Sequence, residues 1–183
     1  MSIGLCHHYS FKLARSTVKD SAMTRWLVPI SILLVWALWF GGEMTLFLSV
    51  IALFGTDRSL GFQAAPVLFH AFEKYQIFLS LLAVLLGVIG FAITRRKPYL
   101  IILGLFWAAT ICALVSTLAI TPEIVRLREA GLTGTDQFKS AHGKSMWLYV
   151  AEAVALLLAG LIIPMLLTNR RADTTPPASA PQA

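Results

Sequence analysis

The sequence contains four runs of apolar residues, each long enough to cross a membrane as a helix. They cover residues 26–54, 75–93, 99–120 and 146–167. A helix needs about 20 residues to cross the roughly 30 Å hydrocarbon core of a bilayer. Only 13% of the 183 residues are charged and 57% are hydrophobic, which is too little charge to cover a soluble domain of this size. The sequence therefore predicts an all-α membrane protein, a bundle of four transmembrane helices.

The basic residues flank the apolar runs and predict how the chain is oriented. Nine of the 15 lie on one side: four before residue 26, three in the TRRKP turn and two after residue 168. The other six lie on the opposite side. Because Lys and Arg are enriched in cytoplasmic loops, both termini are expected in the cytoplasm of a bacterial inner-membrane protein, surrounded by lipid. The net charge of +6 forms no stripe on a soluble face, so no nucleic-acid partner is expected.

The segments outside the four runs are more polar. Residues 1–25 are a predicted cytoplasmic arm, and residues 168–183, rich in proline and alanine, are a predicted disordered tail. The first run ends at Gly55–Asp57, and the next segment is amphipathic enough to lie at the interface or to lead helically into the second span. Pro122 predicts a break after the third run, followed by a short helical piece that ends at Gly131.

Polar residues follow one face of the last predicted helix where it enters the membrane: His142, Ser145, Tyr149 and Glu152. At about 100° per residue they fall within an arc of about 80°. Glu152 lies about 12 Å below Lys144 along the helix axis, inside the hydrocarbon zone. Ionisable side chains at such depth usually face a bundle interior or a wet cavity, and they are candidate functional sites.

A second acid is predicted at a similar depth in the first helix. Glu43 lies 17 residues beyond Trp26, so it is about 25 Å from the cytoplasmic end of its span. Two acids on different helices at matched depth can share a proton or bind a cation. They can also accept hydrogen bonds from Tyr149 and Thr117. Glu43 and Glu152 are therefore the candidate proton or cation site.

A purely structural role for the same residues is the alternative at this stage. Polar side chains in membrane bundles often hold helices together, each hydrogen bond contributing on the order of 1 kcal/mol. Ser145 and Tyr149 fit that role better than a chemical one, while both roles stay open for the two acids. Gly41 and Gly42, beside the first acid, would let a neighbouring helix or a ligand approach the backbone closely.

Other polar and aromatic residues carry weaker predictions. His70 and His142 could form a metal site with the two acids, but their spacing does not require one. A catalytic pair of His142 and Ser145 lacks oxyanion donors and an orienting acid, so the protein is not expected to be an enzyme. No cofactor is predicted, with haem or a metal ion as a secondary alternative. The five tryptophans are assigned mainly to interfacial belts and packing.

Four short segments resemble the transmembrane protein 205-like family, also known as domain of unknown function 4149. They are WFGG at Trp39–Gly42, AAPVLF at Ala64–Phe69, TPEIVRLR at Thr121–Arg128 and FKSAHGKS at Phe138–Ser145. Their order relative to the four runs carries the resemblance, which extends from residue 26 to residue 167. It implies a four-helix membrane protein without an assigned reaction. More distantly, the chain is similar to copper-resistance-D-like membrane bundles, some of which handle metal or haem.

The leading hypothesis is a small transport, ion-coupling or metal-tolerance protein with a polar pocket that faces outward. Glu43 and Glu152 would bind a proton or a small cation. The residues expected to line the pocket are His142, Ser145, Tyr149, Thr117, Gly41, Gly42 and His70. The competing hypothesis is a structural or accessory membrane subunit without transport activity. Four helices enclose little space, so a homodimer is a further expectation.

Overall fold

The computed structural model describes the backbone of residues 4–168 and the side chains of residues 26–167. Regular structure in this part of the chain is helical throughout. The α-helices are α1 (Gly4–Thr56), α2 (Arg58–Thr94), α3 (Lys97–Val115), α4 (Thr121–Glu129) and α5 (Asp136–Thr168). A π-helical turn, Ser116–Ile120, joins α3 to α4. The backbone of residues 4–25, the predicted arm, continues α1 as helix, whereas the predicted tail from residue 169 onward lies outside the described residues.

Four helical segments are long and apolar enough to cross a membrane. They are Trp26–Thr56, Arg58–Thr94, Lys97–Glu129 and Asp136–Leu167. Their outward faces carry exposed apolar side chains, as contact with lipid requires, for example Leu34, Phe78, Leu118 and Leu161. The chain is therefore a multi-pass, all-α membrane protein, as predicted. Helices α2 and α5 begin well before the predicted second and fourth spans, because amphipathic turns precede the most apolar stretch of each helix.

The four spans form a closed ring. Helix α1 packs against α2 and α5, and α3 packs against the same two helices. Short connections make neighbouring helices antiparallel, the arrangement of an up-and-down bundle. One end of the bundle carries the Asp57 turn and the link between α4 and α5, and we call it the Asp57 end. The other end carries the turn at Arg95 and Arg96, and we call it the Arg95 end.

Specific capping interactions fix the two tight turns. The Asp57 carboxylate accepts hydrogen bonds from the backbone N–H groups of Ser59 (2.7 Å) and Leu60 (3.4 Å), which caps α2. The Ser59 side chain, and then these two N–H groups, lower the pKa of the Asp57 carboxyl from its ordinary value. At the other end Arg95 adopts a left-handed conformation (φ 53°), and its N–H donates to the Phe91 carbonyl. The predicted TRRKP hairpin is thereby confirmed.

Helix α4 ends where the sequence predicts. Gly131 has a φ of +71°, a conformation that favours glycine. The N–H of Leu132 donates to the Leu127 carbonyl (2.9 Å), and the N–H of Gly131 donates to the Arg128 carbonyl (3.0 Å). This pair of hydrogen bonds is a Schellman motif, which satisfies the last carbonyls of the helix.

The predicted break at Pro122 is wrong. The helix continues through the π-helical turn, and α4 begins directly at Thr121. Proline has no N–H group, and in a regular α-helix its ring would meet the carbonyl four residues earlier. Here the Thr121 N–H bonds to the Ser116 carbonyl, five residues back. A π turn of this kind absorbs the interruption without ending the helix, and such turns are frequent at functional sites.

Candidate functional site

Buried polar side chains from all four spans lie between the middle of the bundle and its Asp57 end. We call this set the interior polar cluster. Its members are Glu43 on α1, Glu73 and Gln76 on α2, Ser116 and Thr117 in the π turn, and Tyr149 and Glu152 on α5. The carboxyls of Glu43 and Glu152 and the amide of Gln76 are fully buried. Polar groups are therefore concentrated at one level of an otherwise apolar bundle.

The two acids predicted from the sequence are both in this cluster. Glu43 lies about one helical turn from Trp39, whose indole bonds to Glu152, so the two acids are at a similar depth. One oxygen of Glu152 accepts a hydrogen bond of 2.8 Å from the indole Nε1 of Trp39. The other oxygen of Glu152 and both oxygens of Glu43 make no hydrogen bond within the described side chains. Tyr149 and Thr117, predicted as donors to the acids, do not donate to them.

Two of the five tryptophans, which were assigned to interfacial belts and packing, are interior packing residues. Trp39 is fully buried, and its ring lies 6.3 Å from that of Phe106. Trp36 donates a hydrogen bond of 2.7 Å from its Nε1 to the Leu156 carbonyl. Both indole N–H groups point at α5, because a buried indole N–H needs an acceptor. The remaining tryptophans, Trp26, Trp107 and Trp147, are exposed on the outside of the bundle.

Several further polar atoms in the cluster have no hydrogen-bond partner among residues 26–167. These are both amide atoms of Gln76 and the hydroxyl oxygens of Ser116, Thr117 and Tyr149. The Tyr149 and Ser116 hydroxyls approach each other, but not with the geometry of an ordinary hydrogen bond. A buried polar group without a partner costs about 1–3 kcal/mol, and native proteins contain few of them. Their concentration at one level distinguishes this part of the bundle from its apolar remainder.

Glu73 is the member of the cluster that lies beside an exposed polar side chain. Its side chain is only 3% exposed, whereas that of His70, one turn away on α2, is 66% exposed. One oxygen of Glu73 accepts a hydrogen bond from the Thr121 hydroxyl on α4. The other lies 3.9 Å from the Nδ1 of His70. Glu73 thus connects buried polar groups to an exposed one.

The other predicted pocket residues are divided between interior and surface. Ser145 is buried beside the cluster on α5, but His142 is exposed and stacks on Phe138, with ring centroids 6.1 Å apart. His142 therefore does not line the interior. A Cβ atom on Gly42 would lie 3.2 Å from the rings of Phe72 and Tyr75, so this glycine permits the predicted close approach.

Gly41 faces outward, with no heavy atom within 4 Å of the position that a Cβ atom would take. The proposed metal site of His70 and His142 with the two acids is not assembled, since both imidazoles are on the surface. Within residues 26–167, no three His, Cys, Asp or Glu side chains come together as a metal site would require.

Comparison with known families assigns the chain. The model of the family described as Domain of unknown function (DUF4149) matches residues 34–133, more than half of the sequence. The chain belongs to the DUF4149 family. The matched region contains Glu43, Glu73, Gln76 and the π turn, whereas α5 with Tyr149 and Glu152 lies beyond it. No curated protein and no solved structure matches this DUF4149 chain significantly.

Sequence reasoning missed part of the site in this DUF4149 protein. Glu73, Gln76 and Ser116 were not among the candidates, because α2 was expected to enter the membrane only at Tyr75. A periodic pattern on α2 contains the missing information: small and polar residues recur every three or four positions along its buried face. They are Glu73, Gln76, Ser80, Ala83, Gly87 and Gly90. A stripe of this kind marks the interior face of a membrane helix.

Proposed function

We propose that this DUF4149 protein is a small membrane transport or ion-coupling protein in which Glu43 and Glu152 bind a proton or a small cation. One observation carries the proposal: the carboxyl groups of two acids in the same polar cluster are fully buried, and three of their four oxygens have no hydrogen-bond partner in the described protein. Acids that only held helices together would use their oxygens as acceptors. Acids that bind and release a positive charge keep oxygens available.

The chemistry of the cluster favours a positively charged ligand. The described buried side chains include no Lys or Arg that would neutralise the two acids. Carboxyl groups buried close together in a medium of low polarity are not both ionised, so a proton shared by the pair is the simplest ligand. The amide oxygen of Gln76 and the hydroxyls of Ser116 and Tyr149 add neutral oxygen atoms, which suit a proton network or a small hard cation.

The competing proposal is a structural or accessory subunit. The hydrogen bonds from Trp36 and Trp39 to α5 favour it, because they join two helices without any ligand. As part of the leading proposal, we assign the protein to the bacterial inner membrane, with both termini in the cytoplasm, and to the transmembrane protein 205-like kind. A homodimer and a role in metal tolerance belong to the same proposal. The absence of an enzymatic activity is part of the same proposal.

Reconstitution of the full chain into lipid vesicles tests the leading proposal. A pH-sensitive dye inside the vesicles would report proton uptake when a potassium diffusion potential is imposed with valinomycin. We expect uptake by the wild-type protein and loss of uptake in Glu43→Gln at an unchanged melting temperature. Glu129→Gln, on the exposed face of α4, is the matched control and should retain uptake. No uptake by any variant, with the fold intact, would favour the accessory subunit.

A further inference from the structure

We propose that Glu73 is the group through which the interior acids exchange protons with water. The inference rests on the proposed proton site at Glu43 and Glu152 and adds the group that serves it. Three observations support it: the two-sided position of Glu73, the polar groups around it in the interior, and the more apolar packing toward the Arg95 end.

The Glu73 carboxyl faces two environments at once. One oxygen lies 3.9 Å from the imidazole of His70, whose side chain is 66% exposed. The other accepts a hydrogen bond from Thr121 at the start of α4, and Thr117 follows one turn deeper. A carboxyl group that is almost fully buried, yet close to an exposed imidazole, can take up a proton at the surface and deliver it inward.

Polar groups continue from Glu73 to the acid pair. The Tyr149 ring packs against Phe47 on α1 and Phe69 on α2, with ring centroids 5.9 Å and 5.5 Å apart. Its buried hydroxyl belongs to the same interior polar cluster as the three acids. The amide of Gln76 lies three residues beyond Glu73 on the same buried face of α2, about 4.5 Å deeper. The atoms of these side chains that have no hydrogen-bond partner within the described protein are the ones that a proton pathway needs.

The opposite half of the bundle contains fewer polar groups. Between Trp39 and the Arg95 end, the largest fully buried side chains are Tyr99 and five apolar residues, Ile32, Ile102, Phe106, Leu156 and Ile163. Two buried hydroxyls at this depth are satisfied within their own helices. Ser80 donates to the Ile77 carbonyl and Thr110 donates to the Phe106 carbonyl. Apolar packing excludes water, so the polar groups that could serve the acids are concentrated in the other half.

Deuterium exchange at the buried carboxyl groups tests the route. The carbonyl stretching band of a protonated carboxyl shifts when its proton is replaced by a deuteron. The full-length protein would be transferred rapidly to D₂O and the shift followed by time-resolved infrared spectroscopy. We expect exchange in Glu73→Gln to be about a hundredfold slower than in the wild type, a contribution typical of a positioned proton-transfer group. Glu129→Gln, exposed on α4, should exchange at the wild-type rate.

A second variant keeps the test decisive if Glu73→Gln does not fold. Thr121→Val is nearly isosteric and removes the hydrogen bond that holds Glu73 toward α4. It should also slow the exchange, and the double variant should be no slower than Glu73→Gln alone, because both changes act on one group. Exchange at the wild-type rate in either single variant overturns the route while the proton site stands. Absence of any protonated buried carboxyl band in the wild type overturns both proposals.

Discussion

The same substitution at the two buried acids should change the stability of the protein in opposite directions. Replacement by methionine keeps an unbranched chain of similar length and removes the carboxyl group. Glu43→Met removes a buried group with two oxygens that have no partner in the described protein, at no cost in hydrogen bonds. Glu152→Met also removes the acceptor of the 2.8 Å hydrogen bond from Trp39 and leaves a buried indole N–H without a partner.

The difference between the two variants follows from that single hydrogen bond. A buried donor left without a partner costs about 1–3 kcal/mol, so Glu43→Met should be more stable than Glu152→Met by about that amount. Glu43→Met should also be at least as stable as the wild type, because binding sites commonly sacrifice stability for function. Reversible unfolding of the purified proteins in mixed detergent and dodecyl sulfate micelles would measure both differences.

The opposite order would refute the reasoning. If Glu43→Met is less stable than Glu152→Met, the carboxyl of Glu43 makes stabilising interactions that the structure does not show. The acids would then belong to the helix contacts, as the accessory-subunit proposal requires. Trp39→Phe provides an independent check, since it removes the donor of the same hydrogen bond and should destabilise the wild type more than it destabilises Glu152→Met.

Further predictions concern packing and capping. In Gly160→Ala the new Cβ atom would lie 2.3 Å from the ring of Trp36, so unfolding measurements should show a loss of about 1–3 kcal/mol from overpacking. Gly104→Ala, which meets no heavy atom within 4 Å, is the matched control and should be neutral or stabilising by about 0.5–1 kcal/mol. The lowered pKa of Asp57 means that its contribution to stability is complete above the unfolded-state pKa and is lost as pH falls through the folded-state pKa. Melting temperatures between neutral and acid pH should therefore fall less steeply for Asp57→Asn than for the wild type, and equal slopes would contradict this role.

The overall fold was accessible from the sequence because hydrophobic length is a direct physical requirement of the bilayer. The turns at Asp57 and Gly131 could also be predicted, because these residue types favour the backbone conformations found at helix ends. The continuation of the helix past Pro122 could not be predicted. Whether a proline ends a helix or is absorbed by a π turn depends on tertiary packing, and here Thr121 is held by Glu73 on another helix.

The acid pair was accessible because ionisable residues at that depth are rare and expensive. Their neighbours were harder to predict. The hydrogen bond between Trp39 and Glu152 joins residues 113 positions apart, and no local pattern indicates such a pairing. The exposure of His142 could not be predicted either. The sequence does not show where along α5 the neighbouring helices stop covering the polar face.

An infrared titration of the purified wild-type protein would test the central claim most directly. Difference spectra of the carboxyl bands between acid and alkaline pH would be compared with those of Glu43→Gln and Glu152→Gln, with Glu129→Gln as the exposed control. The proposed proton site predicts a coupled titration of buried carboxyl groups that is altered in both interior variants and unchanged in the control. A wild-type spectrum without any buried titrating carboxyl, or one that neither interior substitution alters, would contradict the claim that these two acids exchange a proton.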